Sequence, residues 1–144
     1  MFEQLLLGST LTLVSLVGGA MMWWMLNEAL LRMETWLRRP PKPVKSFVVV
    51  MMVIFSTMAM MTFGVWLWAV TFWSLSVFPT LEGAVYYALV AYTTLGLGDV
   101  VVPPERHLLG GMTAANGFLM FGLMTAMLTD TLRHIRRVQH NLPD

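Results

Sequence analysis

The chain has no cysteine, which excludes a disulfide framework and any thiolate metal site. Charge is scarce too. Asp, Glu, Lys and Arg together make up 12% of the residues, about half the share in an ordinary soluble domain. No helical segment carries arginine at every third position, so a voltage-sensing helix is not expected. His107, His134 and His140 are scattered, and the fourteen methionines follow no ligand spacing. No metal path is read from either.

Apolar length is abundant. Hydrophobic residues fill 57% of the chain. Three stretches carry no Asp, Glu, Lys or Arg: Gln4 to Asn27, Ser46 to Leu81, and His107 to Thr129. A helix rises 1.5 Å per residue and needs about 20 apolar residues to cross roughly 30 Å of hydrocarbon. The chain therefore reads as an all-α membrane protein with three transmembrane helices. The start, Met1-Phe2-Glu3, carries no Lys or Arg. The apolar run that follows is longer than the about 7–15 residues of a signal-peptide core. It reads as a retained helix.

The net charge of +1 says little, but its placement says more. Arg32, Arg38, Arg39, Lys42 and Lys45 lie between the first two spans, and Arg133, Arg136 and Arg137 follow the third. Only Arg106 lies between the second and third. By the positive-inside rule the N-terminus is outside and the C-terminus cytoplasmic, in a cell membrane. Basic clusters that flank spans read as contacts of the lipid bilayer rather than of nucleic acid.

The first span, residues 1–33, contains Gly18-Gly19-Ala20, which permits close approach of another helix. Glu28 and Arg32 are spaced for an i,i+4 ion pair. A cytoplasmic linker over 34–45 includes Pro40-Pro41-Lys42-Pro43, which cannot continue that helix. The second uncharged stretch would run about 48 Å as one helix over 46–77. Trp66, Trp68 and Trp73 in its second half suit an aromatic belt. Phe78-Pro79-Thr80 breaks the pattern, and Thr80 is a good N-cap, with Glu82 in the first turn that follows. A helix over 81–93 spans only about 20 Å. Gly96 and Gly98 follow it at once. A short helix ending in glycine-rich backbone is a re-entrant loop, tolerated at membrane depth only where protein or a water-filled path surrounds it.

The run Thr93-Thr94-Leu95-Gly96-Leu97-Gly98-Asp99, after Tyr92, resembles the signature of the potassium-channel pore family, usually Thr-Thr-Val-Gly-Tyr-Gly-Asp. The resemblance covers about the last hundred residues. A pore-helix-like segment, 81–90, precedes the run. A segment over 117–126, similar to the inner helix of two-transmembrane bacterial channels, follows it. The resemblance implies a pore module over 46–144: outer helix 46–77, pore helix 81–93, filter 94–99 and inner helix 107–133. The residues before it form an extra N-terminal helix.

An ion that leaves water needs oxygens in place of its hydration shell, and successive carbonyls can supply them. The resemblance implies that Thr94, Leu95, Gly96 and Leu97 offer carbonyls to permeant K+, joined by the Thr94 hydroxyl. Gly96 and Gly98 provide the backbone conformations this needs. With one copy of the motif and no internal repeat, the expected assembly is a homotetramer. No organic cofactor is implied, and an unidentified regulatory subunit is an open partner.

In the family the filter aspartate bonds to pore-helix side chains. Tyr86, Tyr87 and Val90 stand at the matching positions, so a tyrosine hydroxyl is the expected partner of Asp99. Leu97 replaces the usual aromatic, as in the second pore loop of some two-pore-domain channels, and weaker selectivity is expected from it. Gly117 matches the hinge glycine of the family. The other reading is that Gly117, Gly110 and Gly111 only permit close packing. Phe118, Phe121, Thr125 and Thr129 would line the cavity and gate, or the phenylalanines, Phe121 above all, would pack between subunits. Asp130 falls off that face and is expected to pair with Arg133 or His134. Alternatives are a weakly selective monovalent cation channel and a non-conducting regulatory channel subunit. Gly-Leu-Gly-Asp is also found in presenilin-like intramembrane proteases, which need a second aspartate in a Tyr-Asp pair. No Tyr-Asp occurs in this sequence, and an enzyme is not expected.

Overall fold

Backbone inside hydrocarbon must satisfy its own hydrogen bonds, and uncharged stretches do so as helices. The computed structural model describes residues 1–33 and 42–140. Four α-helices occur among these residues: α1, Phe2–Arg32; α2, Lys42–Ser74; α3, Leu81–Tyr92; and α4, His107–His140. A single 3-10 turn, Pro104–Arg106, leads into α4, and no strand occurs among the described residues. Three helices, over Phe2–Arg32, Val44–Ser74 and Pro104–Arg137, are long and apolar enough to cross a membrane. The chain is a multi-pass membrane protein.

The helix ends show why local residue chemistry moves boundaries. Residues 34–41 of the expected linker lie outside the described residues, whereas Lys42 to Lys45 are already helical. Pro43 falls in the first turn, where a missing N–H costs nothing, so α2 starts at Lys42 rather than Ser46. It stops at Ser74 rather than Val77. Ser76 takes a left-handed conformation (φ 53°). The N–H groups of Ser76 and Val77 then donate back to the carbonyls of Trp73 and Phe72, both at 3.0 Å. This is the paired-bond helix stop that glycine usually makes. Thr80 caps α3 as expected, its hydroxyl oxygen accepting from Gly83 N–H at 3.1 Å. Between Thr129 and His140 there is neither Gly nor Pro, so α4 continues to His140 instead of ending near 133.

Helices in a membrane gain little from hydrophobic association and rely on close contact. Gly8 of α1 receives the Met112 side chain of α4, and Gly19 receives Met60 of α2 and Met120 of α4. Gln4 of α1 donates to the Glu105 carbonyl, so the start of α1 and the start of α4 lie at one end. The pair Glu28–Arg32 forms at 3.1 Å on an exposed turn. Trp68 departs from the expected belt: it is fully buried, whereas Trp66 and Trp73 are exposed. Residues seven apart share a helix face, and position 68 lies on the other side.

Tyr92, fully buried at the end of α3, touches every other helix. Its hydroxyl lies 3.4 Å from Ser15 Oγ of α1. A Cβ added at Gly64 of α2 would come within 2.5 Å of its ring Cζ. A Cβ at Gly117 of α4 would collide with its backbone carbonyl, 2.6 Å from the carbonyl carbon. Gly117 is thus the point where α4 meets α3 backbone to backbone, whereas Gly122 faces open space. Replacing Gly117 with Ala should destabilise the fold by about 1–3 kcal/mol, the range for forcing extra volume into a packed site. Gly122→Ala should be neutral or stabilising by up to about 1 kcal/mol, since Ala is the better helix former. Thermal melts of the purified variants followed by tryptophan fluorescence check this. Equal melting temperatures would contradict the backbone contact.

Candidate functional site

The last turn of α3 hands the chain to an irregular loop through one carbonyl. Val90 O accepts from the N–H groups of Leu95 (3.0 Å) and Gly96 (3.3 Å), and Thr94 N–H donates to Ala91 O at 2.9 Å. Val90 was expected among the residues that support the loop. It does so through its backbone.

Beyond this anchor the backbone alternates. Thr94, Gly96 and Gly98 have φ of 58°, 60° and 75°, and the leucines between them are not positive. Glycine adopts such angles freely. A β-branched residue does not, and Thr94 stores about 1–3 kcal/mol there. Nothing in the residue types marked Thr94 for this conformation. None of the carbonyls of Thr94, Leu95, Gly96, Leu97 and Gly98 accepts a hydrogen bond among the described residues, and the Thr94 hydroxyl has no partner either. Leu95 and Leu97 are 63% and 60% exposed. Behind the loop, a cavity of about 320 Å³ lies against Val90, Thr94, Gly110 and Ala114.

Asp99 closes the loop. The Tyr86 hydroxyl donates to its Oδ2 at 2.5 Å. That bond is the main influence that holds the Asp99 carboxyl below the usual carboxylate range, and the same contact pushes the Tyr86 hydroxyl up. Tyr87 does not share this role. It stands edge-on to Phe72 at 5.2 Å and beside Phe78 at 5.1 Å, and its hydroxyl abuts Gly110. Consecutive helix residues point about 100° apart, so only one of the two tyrosines can face the loop.

On α4, Phe118, Phe121, Thr125 and Thr129 are all exposed along one face. The hydroxyls of Thr125 and Thr129 donate to the carbonyls of Phe121 and Thr125, at 2.8 and 2.9 Å. Gly117 is off that face, buried under α3, and Gly110 is buried under Tyr87. Gly111 meets nothing. Asn116, next to Gly117, is fully buried with neither amide atom hydrogen-bonded, a feature that sequence reasoning missed. Asp130 also departs from expectation: among the described residues it pairs with neither Arg133 nor His134.

No protein-family model, characterised protein or solved structure matches this chain.

The Tyr86–Asp99 bond has a definite pH sense. A depressed carboxyl contributes stability that is full above the ordinary Asp value, near pH 4, and is lost as pH falls through the lowered one. Tyr86→Phe should raise the Asp99 carboxyl pKa towards its ordinary value. Carboxyl carbon NMR titration of the labelled protein reads this directly. An unchanged titration midpoint would show that the hydroxyl does not hold the carboxylate.

Proposed function

We propose that the chain is one subunit of a homotetrameric, potassium-type cation channel in a cell membrane, with its N-terminus outside and its C-terminus cytoplasmic. The observation that carries this reading is the run of unpartnered carbonyls from Thr94 to Gly98, on a backbone whose φ changes sign at each residue. In an extended strand, side chains and carbonyls point alternately to opposite sides. Alternating φ removes that reversal and lets successive carbonyls face one way. Backbone carbonyls without partners are costly unless something else binds them. Cations stripped of water are suitable occupants.

Two further features favour a cation. The C-terminal end of α3 carries a partial negative charge from its backbone dipoles. It abuts Gly117, about midway along the apolar part of α4. The exposed face of Phe118, Phe121, Thr125 and Thr129 then continues from the loop as the wall of an inner cavity and gate. One chain supplies a quarter of each carbonyl ring, so conduction requires four copies around an axis. Potassium is the permeant substrate, and no organic cofactor takes part.

A second reading, a weakly selective monovalent cation channel, is favoured by the surroundings of Leu97. Tyr86 is engaged by Asp99, and Tyr87 is packed among Phe72, Phe78 and Gly110. Neither aromatic is available to brace Leu97 within the chain.

Native mass measurement in several mild detergents should find four copies. Monomers or dimers throughout would contradict the shared filter. Selectivity is decided by Leu97→Tyr. If the brace is absent, reversal potentials in potassium–sodium gradients should shift towards potassium by about tenfold in permeability ratio, equivalent to about 1.4 kcal/mol. An unmodified channel that already rejects sodium as well as the Tyr variant would exclude the weakly selective reading.

A further inference from the structure

Asp130 lies near the end of the apolar stretch of α4 and has no hydrogen-bond or ion-pair partner among the described residues. Asp130 is exposed, and Arg133 and His134, its nearest basic residues in sequence, do not pair with it. Its neighbours come from α1 instead. Asp130 shares a pocket of about 220 Å³ with Ala20, Trp23, Trp24 and Asn27.

The chemistry of this lining is specific. The small Ala20 leaves room beside two indoles, whose faces attract cations. The carboxylate supplies charge, and the Asn27 amide oxygen is an additional acceptor. A small metal ion would find one carboxylate where several oxygen ligands are usual, and no group of three metal-binding side chains exists among the described residues. An organic ammonium fits better, because it uses the charge and the aromatic faces together. The pocket borders the surface that a bilayer would cover, with Trp24 67% exposed. Arg133 is exposed three residues beyond Asp130, at the roughly 5–6 Å spacing of i,i+3 side chains. A zwitterionic phospholipid carries its ammonium and phosphate at a comparable short separation.

We propose that this pocket binds the ammonium group of a zwitterionic phospholipid between Asp130 and the two tryptophans, with Arg133 on the phosphate. The site is built from α1 and α4 and does not depend on the channel reading. It gives the N-terminal helix a role: α1 presents lipid to the end of α4 furthest from the loop.

Native mass spectrometry of the full chain tests this with phosphatidylethanolamine and phosphatidylglycerol of the same acyl chains. The unmodified protein should retain phosphatidylethanolamine more strongly, by about tenfold. Asp130→Asn should erase that preference and leave phosphatidylglycerol retention unchanged. Trp24→Leu should weaken it about threefold, as loss of one exposed cation–π contact implies. Equal retention of the two lipids by the unmodified protein, a measurement that requires no variant to fold, would overturn the proposal. So would an undiminished preference in folded Asp130→Asn. Full displacement of the lipid by tetramethylammonium chloride would make the ligand a soluble cation, and the lipid assignment would be wrong.

Discussion

The contact on which the rest of the structure depends is the seat of Tyr92 among the other helices. Its ring lies over Gly64, its hydroxyl reaches Ser15, and its backbone rests on Gly117. The Ser15 contact, at 3.4 Å, is too long to contribute much. Shape does more. An aromatic ring buries a large apolar area, and two glycines allow it to do so without separating the helices. Because α3 is only three turns long, seating its last residue places the whole turn above it. Val90 O and the loop from Thr94 follow from that seat. A β-carbon at Gly64 or Gly117 would therefore move the loop even though neither glycine belongs to it.

Against this rigid support, the loop and its surroundings break local rules. Thr94 is β-branched yet left-handed, successive carbonyls lack partners, and Asn116 is buried with an unpaired amide. Each departure has a free-energy cost that ordinary packing does not return. Natural chains concentrate such departures where function requires them. Ion coordination by four copies would supply what the loop carbonyls lack.

Much of this was legible in the sequence because it depends on residue type. Long uncharged stretches foretell spans, Thr80 foretells a cap, and Gly96 and Gly98 foretell positive φ. A tyrosine near Asp99 foretells a hydrogen bond. The remainder depends on direction and depth, which composition does not encode. Which of Tyr86 and Tyr87 faces Asp99 is a matter of helix phase, as is the burial of Trp68 between two exposed tryptophans. Gly117 admitted a hinge or a close contact, and the partner in the contact that does form, the Tyr92 carbonyl, is remote in sequence. Asp130 was expected to pair along its own helix, whereas α1, remote in sequence, brings indoles to it instead. The φ of Thr94 is imposed by its neighbours, against its own preference.

Ion flux through the purified protein in liposomes, with the unmodified chain beside Gly98→Ala, tests the central claim most directly. A β-carbon at position 98 opposes the φ of 75° that keeps the carbonyl run in register. The account predicts potassium flux down its gradient in the unmodified protein and loss of at least about nine-tenths of it in a Gly98→Ala protein that still assembles. Absence of flux from the unmodified protein, or equal flux from the two, would show that the Thr94–Gly98 backbone is not a conduction path.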